Sequence, residues 1–300
     1  MTPVLASIPS PSSGTFELGP LTLRAYGIMI LLGILAAVWL GGRRWVARGG
    51  DWDGIIKVAM WGVAGGVVGA RLYHIITSFD ELPDEWWGPF AIWRGGLGIW
   101  GGILGGVLAG AWAARRHGYT GNQMLILMDA VAPGILLAQA IGRWGNYFNQ
   151  ELFGEPSSLP WSLQIDVANR PAEFADATTF HPTFLYESLW SLIGVVLLLL
   201  IDRRWKVPPP SLFAMYVMWY TLGRATFQET LRIDPSHEIL GLRLNHYVAI
   251  GVFLAAAYAL WWAYNRSSQQ EAPRGQRQPR PAPATGPRMD VPSRKVRRKR

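Results

Sequence analysis

MLILMDAVAPGILLAQAI, residues 124–141, runs directly into GRWGNYFNQELFG, residues 142–154, and the reading of this junction decides the fold. The first stretch is close to the roughly 20 apolar residues that cross a hydrocarbon core. The second delivers Arg143, Asn146, Asn149, Gln150 and Glu151 where such a run meets water. If the helix continues past Gly142, Arg143 and Asn146 stand one turn apart on the same side. Polar groups at that depth are costly and mark a site rather than a surface.

The chain agrees with a membrane reading throughout. Of its 300 residues 50% are hydrophobic, only 16% are charged, and 16 are Trp, a composition foreign to soluble domains. Apolar runs of spanning length lie at roughly 19–41, 54–77, 95–114, 123–141, 183–201, 211–228 and 244–264, which predicts an all-α integral membrane protein of seven transmembrane helices. Arg43, Arg44 and Arg48 follow the first run, Arg115 and Arg116 the third, and Arg203, Arg204 and Lys206 the fifth. Asp80, Glu81, Asp84, Glu85, Asp166, Glu173, Asp176, Asp234 and Glu238 fill the alternate loops. Because basic residues stay cytoplasmic, this predicts an outside N terminus and an inside C terminus.

Three parts are expected: an outside segment 1–18, the membrane domain 19–264 with a small outside head at about 142–181, and a basic tail 265–300. The formal charge of +8 comes from that tail, which holds eleven Lys and Arg against Glu271 and Asp290. Rich in Pro, Gln and Arg, it has little to bury and is expected to be disordered. A basic segment held near anionic lipid explains it better than nucleic-acid binding. The first twenty residues lack the basic start of a cleaved signal peptide. Cysteine is absent, so the chain offers no disulfide, thiolate nucleophile or cysteine metal site. His74, His117, His181, His237 and His246 show no ligand spacing, and no metal or other cofactor is expected.

Placed by depth, the polar residues gather in one half of the membrane. Arg24 and Tyr26 open the first run, Arg71 and His74 close the second, and Arg94 precedes the third. Arg143 and Asn146 close the fourth, His181 and Glu187 open the fifth, and Arg224 and Glu229 close the sixth. Asp129 is the exception, with helix packing at least as good an explanation as function. A channel or pump needs polar groups across the whole thickness, so a one-sided site is expected instead. Single arginines also snorkel to headgroups, but five on one side favour a grip on phosphate. Buried Glu187 calls for a partner, most simply an arginine. Glycines of the second and third runs (Gly62, Gly65, Gly66, Gly69; Gly98, Gly101, Gly102, Gly105, Gly106) fall at the spacing of closely packed helices.

Arg24-Ala25-Tyr26-Gly27, Gly142-Arg143-x-x-Asn146 through Gly154, His181-Pro182-x-x-x-Tyr186-Glu187, and Gly223-Arg224 followed by Glu229 and Leu231-Arg232-Ile233-Asp234 together resemble the phosphatidylglycerol–prolipoprotein diacylglyceryl transferase family over residues 20–265. The resemblance implies transfer of a diacylglyceryl group from phosphatidylglycerol to the lipobox cysteine thiol of a prolipoprotein, at a bacterial cytoplasmic membrane. It implies phosphatidylglycerol contacts at Arg143, Arg71, Asn146, Gly154, Glu187 and Glu229. It also implies catalytic work at Tyr26, Arg143, Asn146, Glu151, His181 and Arg224. Glu151, His181 and Tyr26 are alternative groups for activating the thiol. The partners would be phosphatidylglycerol, the prolipoprotein signal peptide and membrane lipids, without nucleic acid.

Two departures stand out. Many members of the family carry His in the glycine-rich third span, where this chain has Trp100. Arg224 and Glu229 are five apart instead of four, which splays a helical pair by about a quarter turn unless a bulge restores it. The competing reading is a seven-helix phospholipid-binding or transport protein without chemistry.

Overall fold

In the computed structural model, residues 7–11, 13–19, 21–82, 85–92, 95–233, 238–239 and 241–271 are described. Arg94, Asp84, Asp234, His237, residues 1–6 of the N-terminal segment and residues 272–300 of the basic tail lie outside the described residues.

The chain is predominantly helical. A hairpin, β1 Thr15–Leu18 with β2 Leu21–Arg24, precedes α1 Ala25–Val46. The first helix therefore starts six residues later than the apolar run suggested. Phe16 and Leu23 pair across the hairpin, and Gly19 supplies the positive φ of its turn. α2 is Trp52–Thr77, started by Asp51, whose carboxylate accepts from the Gly54 N–H at 2.6 Å. α3 is Ile99–Arg116. α4, Gly121–Asn149, opens with a reciprocal capping box between Thr120 and Gln123. It carries Arg143 and Asn146 in its last two turns, so the head begins at Gln150 rather than at Gly142.

α5 is Thr183–Arg204 and α6 is Ser211–Gly223. α6 passes into a π-helical turn, Arg224–Gln228, and then into α7, Glu229–Leu231. α8, Leu244–Glu271, continues seven residues beyond the expected span and into the stretch read as tail. Two further antiparallel pairs, β3 Leu163–Gln164 with β4 Thr179–Phe180 and β5 Glu238–Ile239 with β6 Leu242–Arg243, qualify the all-α description.

Among the described residues five helices are long and apolar enough to cross a membrane: α1, α2, α4, α5 and α8. α3 is an 18-residue glycine-rich helix, and the π turn leaves α6 at 13 residues. Leu35, Met60, Leu104, Val107, Leu108, Val196 and Leu254 are each more than half exposed, a surface suited to lipid rather than water. The protein is a multi-pass membrane protein.

Packing follows side-chain size. α2 and α3 meet along their glycines, where a Cβ on Gly69 would fall 2.3 Å from the Gly101 carbonyl oxygen. α5 and α6 are joined by Trp190 and Trp219, stacked at 3.9 Å, each indole N–H donating to the other's carbonyl. At the end opposite the head, Arg44 donates through Nε to the Ala130 carbonyl, through one terminal nitrogen to the Asp129 carbonyl, and through the other to Asp202 at 3.0 Å. Arg48 holds both Asp202 oxygens, and the Asp129 carboxylate accepts from the Phe213 N–H at the start of α6. Asp129 is thus a packing residue, tying α4 to α6. Asp51, Asp53 and His117 also converge at this end, their ligand atoms within 4.8 Å of one another, a grouping that sequence spacing did not reveal. Asp51 is already engaged there by Gly54 and the Tyr119 hydroxyl. Burial, then the Asp51 carboxylate, push the Tyr119 hydroxyl up to about 12.

The head packs on Phe153, Leu163, Ile165, Phe180 and Phe184, with Ile8 against them. Gln150, in a left-handed conformation at the end of α4, donates to Asp166 and the Pro11 carbonyl and accepts from the Asp166 N–H. One amide side chain thereby fixes the helix end to both the head and the N-terminal segment.

Candidate active site

Glu187, in the second turn of α5 and buried, organises the head end of the bundle. Its Oε2 meets Arg143 at 2.6 Å and its Oε1 meets Arg232 at 2.9 Å. The Gln228 amide also donates to Oε2, at 3.0 Å. Gln228 Oε1 accepts from Arg224 at 3.0 Å, and Arg224 lies 3.3 Å from Glu229. Two carboxylates therefore face three guanidinium groups across α4, α5 and the α6–α7 segment, leaving a local excess of positive charge. The carboxylates are nearly sealed, whereas the side chains of Arg143 and Arg224 keep 19% and 23% of their surface. Arg143 and Arg224 thus keep more exposure than the carboxylates that hold them.

The five-residue spacing of Arg224 and Glu229 is resolved by the π turn. Glu229 donates its N–H to the Arg224 carbonyl, an i+5 bond that adds one residue to the turn and returns Glu229 to the side of Arg224.

Other polar groups converge nearby. Asn146, one helical turn from Arg143 on α4, is buried. Arg232 Nε is buried without a partner. Such a group costs free energy unless something completes it. The Tyr26 ring lies against Gly145 of α4 and within electrostatic range of Glu151 and Arg143. Glu151, just beyond α4, lines an open cleft of about 330 Å³ with Ser13, Asn149, Gln150 and Asp166. Burial raises its carboxyl above the usual range, opposed by a hydrogen bond from Asn149 and by the charge of Arg232.

Gly154 is structural in a strict sense. A Cβ there would lie 2.9 Å from both His181 Cβ and the Leu231 carbonyl oxygen. Its N–H donates to the His181 carbonyl, and it bridges to Arg232, so it holds the residue after α7 close to the start of α5. The prolipoprotein diacylglyceryl transferase profile matches residues 13–262, which take in this whole cluster. The chain belongs to the prolipoprotein diacylglyceryl transferase family. It is 53% identical over 260 residues to phosphatidylglycerol–prolipoprotein diacylglyceryl transferase 2 of Streptomyces coelicolor, covering 85% of this chain and 80% of that one. The similarly named proteins of Streptomyces griseus and Cutibacterium acnes are 49% and 50% identical, covering 94% and 85% of this chain and 86% of each relative.

Two residues expected at the site of this transferase-family chain have other partners. Arg71 donates to the backbone carbonyls of Gly88, Pro89, Gly95 and Gly96 at 2.7–3.0 Å. Four carbonyls occupy its guanidinium, and it organises the segment before α3. His181 Nδ1 lies 3.2 Å from the Tyr186 hydroxyl, which accepts from the Trp161 indole. His181 and Trp161 thus share the Tyr186 hydroxyl. Trp100, in the first turn of α3, is about half exposed. Gln228 and the pairing role of Arg232 were missed by sequence reasoning. The signal was the extra residue between Arg224 and Glu229, with Gln228 at the offset where a carboxylate was expected.

Proposed function

We infer that this protein transfers the diacylglyceryl group of phosphatidylglycerol to prolipoproteins, as the names of its relatives state. The observation that carries the mechanism is the buried Glu187 network, which holds Arg143 and, through Gln228, Arg224, with buried Asn146 one helical turn from Arg143.

The acceptor is the thiol of the lipobox cysteine. Its sulfur forms a bond to the terminal glycerol carbon of the diacylglyceryl group while the bond from that carbon to phosphate oxygen breaks. The electron pair leaves with glycerol phosphate, the product is a thioether, and the thiol proton passes to a base. Negative charge grows on the phosphate oxygens in the transition state, and preorganised cations there lower the barrier. Arg143 takes the phosphate first and Arg224 clamps it second. Asn146 donates to the headgroup or an ester carbonyl. Glu151 is the favoured base, because it opens onto the cleft and its raised pKa lies closer to that of a thiol. Tyr26 serves as a hydrogen-bond donor beside it. Glu187 and Glu229 aim the arginines, while Gly154 and Arg71 shape the walls.

The chain sits in the bacterial plasma membrane with seven crossings, the head outside and α8 ending inside. Supporting this, Arg44 and Arg48 at the end of α1 pair with Asp202 at the end of α5, remote from the head, and Arg203 and Arg204 close α5 at that same end, as the charge rule requires. α6, the π turn and α7 also form one continuous rod over 211–231. Incubating the protein with phosphatidylglycerol and a lipobox peptide should raise the peptide mass by one diacylglyceryl group. An unchanged peptide with well-folded protein would leave a lipid-binding protein without chemistry.

A further inference from the structure

Between the two arginine–carboxylate pairs stands one neutral side chain. Gln228 is 5% exposed, and both ends of its amide are used. Oε1 accepts from Arg224, and Nε2 donates to the same Glu187 oxygen that holds Arg143. A carboxamide turns an acceptor to a cation and a donor to an anion at once. Methionine would satisfy neither neighbour, and an ionised carboxylate in its place would set a second negative charge against Glu187.

Holding the ions together does not require this residue. Glu187 already has Arg143 and Arg232, and Arg224 already has Glu229. Gln228 adds a fixed relation between Arg224 and Arg143, the two paired arginines whose side chains keep the most surface in this network. It reaches that place because the π turn brings residues four and five beyond Arg224 to bear on it together. We propose that Gln228 is a positioning residue that aligns Arg224 with Arg143 on one substrate phosphate; this role rests on the transferase reading above.

The test compares full-length wild type, Gln228→Met and Gln228→Glu in detergent with phosphatidylglycerol and a lipobox peptide. Misplacing a group that stabilises the transition state can cost about 10²-fold. Gln228→Met should therefore lose kcat on that order, with KM for phosphatidylglycerol little changed.

Gln228→Glu supplies the readout that a purely structural role would not move. Two carboxylates at hydrogen-bond distance push one protonation upward. Once protonated, the carboxyl introduced by this substitution again donates to Glu187 and accepts from Arg224. The activity of Gln228→Glu relative to wild type should rise several-fold from about pH 8 to about pH 6. The charged groups around the position are Arg143 from α4, Glu187 from α5, and Arg224, Glu229 and Arg232 from its own segment, with Arg243 of β6 donating to the Arg232 carbonyl. Normalising to wild type at each pH removes their common contribution. Gln228→Met within twofold of wild type, or a Gln228→Glu ratio flat with pH, would overturn the role. Wild type that leaves the peptide unmodified would instead overturn the transferase reading, and this role with it.

Discussion

Both ends of the bundle bury arginines against carboxylates, yet the two arginine networks differ in how fully they are satisfied. At the end remote from the head, each nitrogen of Arg44 has an acceptor, Arg48 grips both Asp202 oxygens, and the Asp129 carboxylate meets a backbone N–H. At the head end, Arg232 Nε is buried without a partner, and the side chains of Arg143 and Arg224 keep 19% and 23% of their surface. A completed network is a joint, because adding a ligand would cost it existing bonds. An incomplete one gains by binding. Arg71, surrounded by four carbonyls, belongs with the joints although it lies toward the other end.

The sharpest way to break this comparison is to delete one cation from each end. Arg143→Ala should lower diacylglyceryl transfer by at least about 10²-fold while the protein still inserts and folds, as read by peptide mass and size exclusion. Arg44→Ala should do the reverse, lowering thermal stability with turnover per folded molecule kept. Equal effects on transfer would erase the distinction between joint and site.

Next in size is the anion. Removing one partner of a buried pair costs roughly 3–5 kcal/mol, so Glu187→Ala should both lower the thermal midpoint in detergent and abolish transfer. Asp202→Ala should show only the first effect. A Glu187 variant that is less stable but fully active would mean that the network does not aim Arg143.

A smaller effect separates the candidates for proton transfer. The Glu151 carboxyl is raised by burial, and a base must be ionised to work. Rate should therefore fall as pH drops through that raised pKa, at a pH above the usual carboxylate range. Glu151→Gln should remove this limb, whereas His181→Gln should leave it in place. Persistence of the limb in Glu151→Gln would return the role to another group. Smallest of all, Arg71→Lys should leave KM for phosphatidylglycerol within about twofold, since carbonyls rather than lipid occupy that side chain. A large rise in KM would restore Arg71 to the binding site.

Much of the architecture was legible because lipid imposes a simple rule: apolar runs of sufficient length become helices. Helix ends were less so. The first run was read from residue 19, but alternation over 15–24 favours a hairpin, and β-period and helix-period signals overlap in short apolar stretches. The site was legible as a list, since arginines deep in a helix stand out in any membrane sequence. Arg143, Glu187 and Arg224 meet in one network through Gln228, whereas Arg71 and His181 have other partners.

The sequence by itself determined that this chain is a helical membrane protein, because hydrophobic length acts locally. Tertiary structure decided which arginines pair with carboxylates and which with backbone carbonyls. That depends on partners far away in the chain: Glu187 lies 44 residues beyond Arg143 and 45 before Arg232. It also depends on a π turn whose single extra residue reads in sequence only as a mismatched spacing. Hydrogen-bond completeness is a property of the assembled end, and no single helix carries it.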